Sequence, residues 1–106
     1  MGAMPQWVDV VAEDDLEEGE PVLADALGTE VCLVLADGDV YALQNDCPND
    51  GQPLGEGEMQ GDTVLVCPKG DAHFDVTTGE ALKGCETDLE TFEVRVVGGV
   101  VQVGLE

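Results

Sequence analysis

The apolar residues of this chain fall in short runs separated by glycine and aspartate, and no stretch repeats every three to four residues over the length of a helix. Residues 7–11 (Trp-Val-Asp-Val-Val) alternate in the manner of a short strand and make Trp7 a core or edge anchor. Residues 21–26, 30–36 and 40–44 are rich in Val and Leu, and Asp37-Gly38 before Asp39 predicts a hairpin between the last two. Residues 63–66 and 74–76 predict two more strands, with a turn at 77–80. Residues 82–84 begin a connection to a closing hairpin, 92–97 and 100–103, turned by Gly98-Gly99. The predicted class is all-β, an antiparallel barrel or sandwich of short strands. The acidic run Asp14, Asp15, Glu17, Glu18, with Leu16 inside it and Gly19 and Pro21 after it, predicts a solvated turn.

Size and charge narrow the functional classes. At 106 residues the chain suits one domain with a single modest core. Its hydrophobic residues, 43% of the total, are dispersed, so no run resembles a membrane span or a secretory signal, and the chain is expected to be soluble and cytoplasmic. Met1-Gly2-Ala3-Met4 reads as a leader ahead of a second start at Met4. Twenty-four acidic residues stand against Lys69, Lys83 and Arg95, a formal net charge of -21. Such a field repels nucleic acid and anionic membranes and points to a partner with a basic face.

The chemistry concentrates between residues 47 and 79. Cys47-Pro48 and Cys67-Pro68 open two similar loops, separated by a turn at Gly51, Pro53 and Leu54 and by the strand at 63–66. Four cysteines in a chain without an export signal point to thiol or metal chemistry before a disulfide framework. The pattern Cys47, Pro48, Gly51, Pro53, Leu54, followed by Cys67, Pro68, Phe74, Asp75, Thr78, Gly79, resembles that of Rieske-type ferredoxins. The resemblance implies a Rieske-like antiparallel barrel or sandwich spanning residues 1–106 as one domain. In it, residues 5–45 and 75–106 make a basal part and residues 46–74 a small loop-bearing subdomain. It also implies a 2Fe-2S cluster, with one iron held by two cysteines and the other by two histidines. Here the cysteine positions are Cys47 and Cys67, while the two histidine positions hold Asn49 and Gly70. A neutral amide is a poor iron ligand and glycine offers no side chain.

This departure leads to the expectation that the chain carries no cofactor. The alternatives are a 2Fe-2S cluster, or a single zinc or iron ion held by Cys47 and Cys67 with Asp50 and Asp71, each of which directly follows a vacated histidine position. Structural use of both aspartates in tight turns is the competing reading. His73, the remaining candidate metal ligand, precedes Phe74 on a strand, so alternation turns it outward, to solvent, and ligation by it would need the second loop rebuilt. Cys32 reads as a small buried residue of an apolar strand, and Cys85 as a partly exposed thiol.

The resemblance then implies an acidic accessory or interaction module of a redox enzyme, similar to cluster-free family members such as small subunits of assimilatory nitrite reductases. The alternative it implies is an electron-transfer ferredoxin for an oxygenase or reductase, with an atypical metal centre at Cys47 and Cys67. Changes confined to the two ligand positions are also what a ligand-removed form of an ordinary electron-transfer ferredoxin would display. Dithiol redox chemistry at the same pair has no Cys-x-x-Cys helix start to support it. No nucleophile triad, phosphate loop or histidine pair occurs, so the chain is expected not to be an enzyme.

Overall fold

The computed structural model describes residues 6–48, 51–69 and 72–105. Six strands form the larger sheet: β1 (Gln6–Ala12), β2 (Val22–Ala26), β3 (Thr29–Ala36), β4 (Asp39–Gln44), β9 (Thr91–Val97) and β10 (Val100–Leu105). Their order is β1-β10-β9-β4-β3-β2, every pairing is antiparallel, and the end strands β1 and β2 approach one another, so the sheet curls toward a barrel. A second sheet, ordered β5-β6-β7-β8, is built from β5 (Glu58–Gln60), β6 (Val64–Val66), β7 (His73–Asp75) and β8 (Ala81–Lys83). This all-β architecture is the one the sequence predicts.

Strand β3 explains how the two sheets share one molecule. Val31, Cys32, Leu33 and Val34 are all fully buried, a continuous apolar run of the kind that has core on both faces. Val31 and Leu33 point into the barrel with Leu16, Ala24, Ala42, Val101 and Val103. Cys32 and Val34 point the other way, into a second cluster with Leu43, Leu54, Leu65, Phe74 and Val76 that joins the barrel to the small sheet. The period of two along β3 thus makes it the wall between two cores.

Three hairpins turn through paired positive φ angles, the signature of type I′ turns. They are Leu27-Gly28 (53° and 89°), Asp37-Gly38 (57° and 83°) and Gly98-Gly99 (58° and 81°). The second carries a clasp that the acidic run supplies. Glu18 Oε2 accepts the Asp37 N–H at 2.6 Å and its Oε1 accepts the Gly38 N–H at 3.3 Å. The run is therefore more than a solvated turn: Glu13–Asp15 form a single 3-10 turn, and Leu16 is buried in the barrel. On the outer face of β1, β10 and β9, Arg95 lies over Trp7, 4.2 Å from the ring centroid. Arg95 Nε donates to Gln102 Oε1 at 2.7 Å, and Gln102 Nε2 donates to Asp9 Oδ1 at 2.6 Å. Trp7 is thus an edge anchor, half-buried beneath a guanidinium.

Two strands differ from the sequence expectation. The connection read as beginning at residues 82–84 instead overlaps β8 (Ala81–Lys83), which extends the small sheet past residue 74, because Ala81 and Lys83 find partners in Phe74 and His73. Strand β5, Glu-Met-Gln, lacks β-branched residues and is recruited by pairing with β6.

Candidate functional site

Both cysteine loops close in the same way. In the first, the Cys47 N–H donates to the Gln52 carbonyl at 2.9 Å; in the second, the Cys67 N–H donates to the Ala72 carbonyl, also at 2.9 Å. Each bond spans five residues, so the two cysteines occupy equivalent places. The first loop is tightened by the Gly51 N–H, which donates to the Cys47 carbonyl at 2.8 Å, with Gly51 at a φ of 75° that an L side chain rarely adopts. Asp46 and Pro53 face each other in an isolated bridge at the loop's neck.

Cys47 and Cys67 are each 2% exposed and belong to the same apolar cluster, with Leu54, Leu65 and Phe74. The fold therefore brings the two sequence-predicted thiols to one core. Asn49, Asp50, Gly70 and Asp71 lie outside the described residues. His73 is half-buried, not the solvent-facing residue expected from alternation, because it sits mid-sheet between Val66 and Lys83. Among the described residues no cluster of three or more His, Cys, Asp or Glu side chains could hold a metal ion.

The other cysteines behave as the sequence suggests. Cys32 is fully enclosed, and burial pushes its thiol up to about 12. Cys85 is half-buried, its Sγ 3.5 Å from the Thr87 carbonyl. Both are thiols, with no bridge between them.

Two residues without a motif of their own support the first loop. Gln44 Nε2 donates to the Asp46 carbonyl and its Oε1 accepts the Glu90 N–H, both at 2.7 Å. Asn45 is buried, and its side chain accepts the Gly55 N–H at 2.9 Å. The signal in the sequence is an asparagine closing an apolar run two residues before a cysteine.

Comparison with known proteins agrees with this arrangement. The family model of the Rieske-like [2Fe-2S] domain matches residues 6–104. The ferredoxin component of the alkene monooxygenase system of Xanthobacter autotrophicus is 36% identical over 101 residues, covering 95% of this chain and 83% of that protein. The ferredoxin component of the naphthalene 1,2-dioxygenase/salicylate 5-hydroxylase systems of a Ralstonia species is 32% identical over 101 residues, covering 94% and 96%. Among solved structures, the ferredoxin of carbazole 1,9a-dioxygenase from Nocardioides aromaticivorans IC177 superposes with a TM-score of 0.88 at 29% identity, covering 95% and 99% of the two chains. A similar ferredoxin, at a TM-score of 0.86, 29% identity and 94% coverage of each chain, was solved in complex with the oxygenase of carbazole 1,9a-dioxygenase.

These relatives overturn the expectation of no cofactor, since ferredoxins with a Rieske-like domain normally carry a 2Fe-2S cluster. The physical reason lies in the thiols: Cys47 and Cys67, the two cysteines expected to hold one iron, are both present and buried in one core. The donor set fits the cysteine-held half of such a centre, with two buried thiols at equivalent loop positions. The two positions at which the resemblance places histidines lie outside the described residues. The relatives are ferredoxin components and not the oxygenases themselves, in agreement with the reading that the chain is not an enzyme. With the family model spanning residues 6–104 and both Cys-Pro loops inside it, the chain belongs to the family of Rieske-like [2Fe-2S] domains.

Proposed function

We propose that this chain is the electron-carrying ferredoxin of an oxygenase system, with an iron-sulfur centre seated on Cys47 and Cys67. The observation that carries the reading is identity of 36% and 32% to ferredoxin components over nearly the whole chain, across a stretch that includes both loops. When bound, such a centre supplies one-electron chemistry. The chain's part is to keep the two thiols dry, at 2% exposure each, and to present the loops that carry them.

The second iron needs donors other than the residues at 49 and 70. Asp50 and Asp71, one position beyond each, are the carboxylates closest to hand in sequence, and His73 is the next candidate. Oxygen donors in place of neutral imidazole hold the potential lower than histidine would. The partner is an oxygenase component with a basic face, met in the cytoplasm. A surface groove beside the first loop supports this, lined by Asp25, Glu30, Asp46 and Glu90 with no basic side chain among its described walls.

Visible absorption, electron paramagnetic resonance and iron and sulfide analysis of the purified protein test the proposal. The expected result is a coloured protein with about two irons and two labile sulfides per chain, lost in Cys47→Ser and Cys67→Ser. Asn49→His combined with Gly70→His raises the midpoint potential, by on the order of 100 mV or more. An unaltered spectrum and potential in Asp50→Ala with Asp71→Ala would remove the carboxylates from the ligand set. A colourless parent that takes up neither iron nor sulfide on anaerobic reconstitution would end the proposal.

A further inference from the structure

Asn45 is the buried polar side chain of an otherwise apolar core among the described residues, 3% exposed, and it stands two residues before Cys47. Burying an amide is unfavourable unless its groups are bonded. Asn45 Oδ1 accepts the Gly55 N–H at 2.9 Å, and its backbone carbonyl accepts the Leu54 N–H at 2.6 Å. Both donors lie at the far end of the first loop, so one residue at the loop's entry ties down its exit. That exit is fixed in turn. Leu54 is fully buried, and a Cβ on Gly55 would lie 2.9 Å from the Leu23 nitrogen, so the backbone there rests directly on β2.

The position two residues before the second loop's cysteine is filled differently. The residue two before Cys67 is Leu65, fully buried and flanked across the small sheet by Met59 and Phe74. The place before the second loop that corresponds to Asn45 is thus filled by an apolar side chain instead of a hydrogen-bonding one.

We infer that Asn45 is the positioning residue for Cys47: its side-chain and backbone oxygens, bonded to Gly55 and Leu54, hold the first loop shut and so set where the Cys47 sulfur sits. For its consequence at a metal the inference rests on the proposed ferredoxin role; the loop closure itself is a property of the chain. Iodoacetamide alkylation of the full-length purified protein, mapped by peptide mass spectrometry, tests it, with fully buried Cys32 as an internal clock of global unfolding. Asn45→Ala is expected to raise the labelling rate of Cys47 relative to Cys32 about tenfold, the factor carried by about 1.4 kcal/mol. Asn45→Asp, which keeps an acceptor for the Gly55 N–H but brings a carboxylate into the core, is expected to fall between the parent and the alanine variant. Should the alanine variant not fold, Asn45→Ser, whose hydroxyl is one bond shorter in reach, is read in the same way. Acceleration of Cys32 and Cys47 by equal factors would make Asn45 a general stabilising residue and overturn the inference, as would an unchanged ratio. Because the readout compares two thiols, a parent lacking iron and sulfide sinks the ferredoxin role and leaves this test standing.

Discussion

Burial decides what the Cys32 thiol can do: its folded pKa of about 12 lies well above the 9.0 of an ordinary thiol because a thiolate on β3 would sit in hydrocarbon. Below pH 9 both folded and unfolded chains keep this proton, and the group contributes nothing to the pH dependence. Between 9 and about 12 the unfolded chain loses the proton while the folded chain holds it, so stability falls as pH rises, by up to about 1.4 kcal/mol per unit. Urea midpoints at pH 8 and pH 10.5 should therefore drop more for the parent than for Cys32→Ala; equal drops would mean that Cys32 ionises without unfolding. Legibility at this scale follows the uniqueness of the signal. Cys47 and Cys67 stand out because a Cys-Pro pair repeated at the head of two similar loops seldom serves packing alone, and Cys32 reads correctly because a lone cysteine in an apolar run is a small hydrophobe. Asn45 carries only a weak signal in the sequence, an asparagine two residues before a cysteine, because polar residues before a loop are ordinary; its distances to Gly55 and Leu54 are what reveal a tie.

Elements were legible where a turn announced them. The hairpins at Asp37-Gly38 and Gly98-Gly99 carry residues suited to positive φ, but the third I′ turn puts Leu27 at a φ of 53° and leaves it 66% exposed. A leucine in the left-handed region costs roughly 1–2 kcal/mol, while asparagine adopts it more readily. Leu27→Asn should stabilise the protein by about 0.5–1 kcal/mol, seen as a raised thermal midpoint. A midpoint that falls would mean the leucine makes a contact worth more than the strain. The small sheet was harder to read, since β5 and β8 are three residues each and owe their form to partners instead of propensity. Its entry depends on Gly57, where an added Cβ would fall 2.3 Å from the Val66 carbonyl oxygen. Backbone cannot yield there as a flexible side chain would. Gly57→Ala should thus cost more than about 2 kcal/mol in denaturant midpoint and speed proteolysis within residues 58–83 before the barrel; a parent-like midpoint would show that the β5–β6 pair shifts freely.

Charge acts on the molecule as a whole. A net -21 is carried on a body of 36 × 33 × 20 Å with a radius of gyration of 13.0 Å, close to the roughly 13 Å of an ordinary domain of this length. The apolar cores on either side of β3 therefore hold the chain at normal density against its own repulsion. The crowding is visible locally: Glu20 has its pKa raised by a hydrogen bond to the Glu17 side chain and by the charge of that same neighbour. Of the three cations, Arg95 is spent on Trp7 and Gln102, which leaves Lys69 and Lys83 to offset the field elsewhere. At 0.01 M ionic strength the Debye length of about 30 Å spans the molecule and every carboxylate opposes every other; at 0.15 M it is about 8 Å and only neighbours interact. Raising NaCl across that interval should therefore stabilise the fold by about 1 kcal/mol or more, roughly 4–8 °C in thermal midpoint for a domain of this size. The same salt should weaken docking to the basic-faced oxygenase component proposed as partner, because on that proposal the carboxylates that repel one another also steer the partner. Opposite signs in the two measurements are the expected outcome. Docking that ignores salt while the midpoint climbs would show that the acidic surface serves the chain's own solubility and that the partner meets it through uncharged contacts.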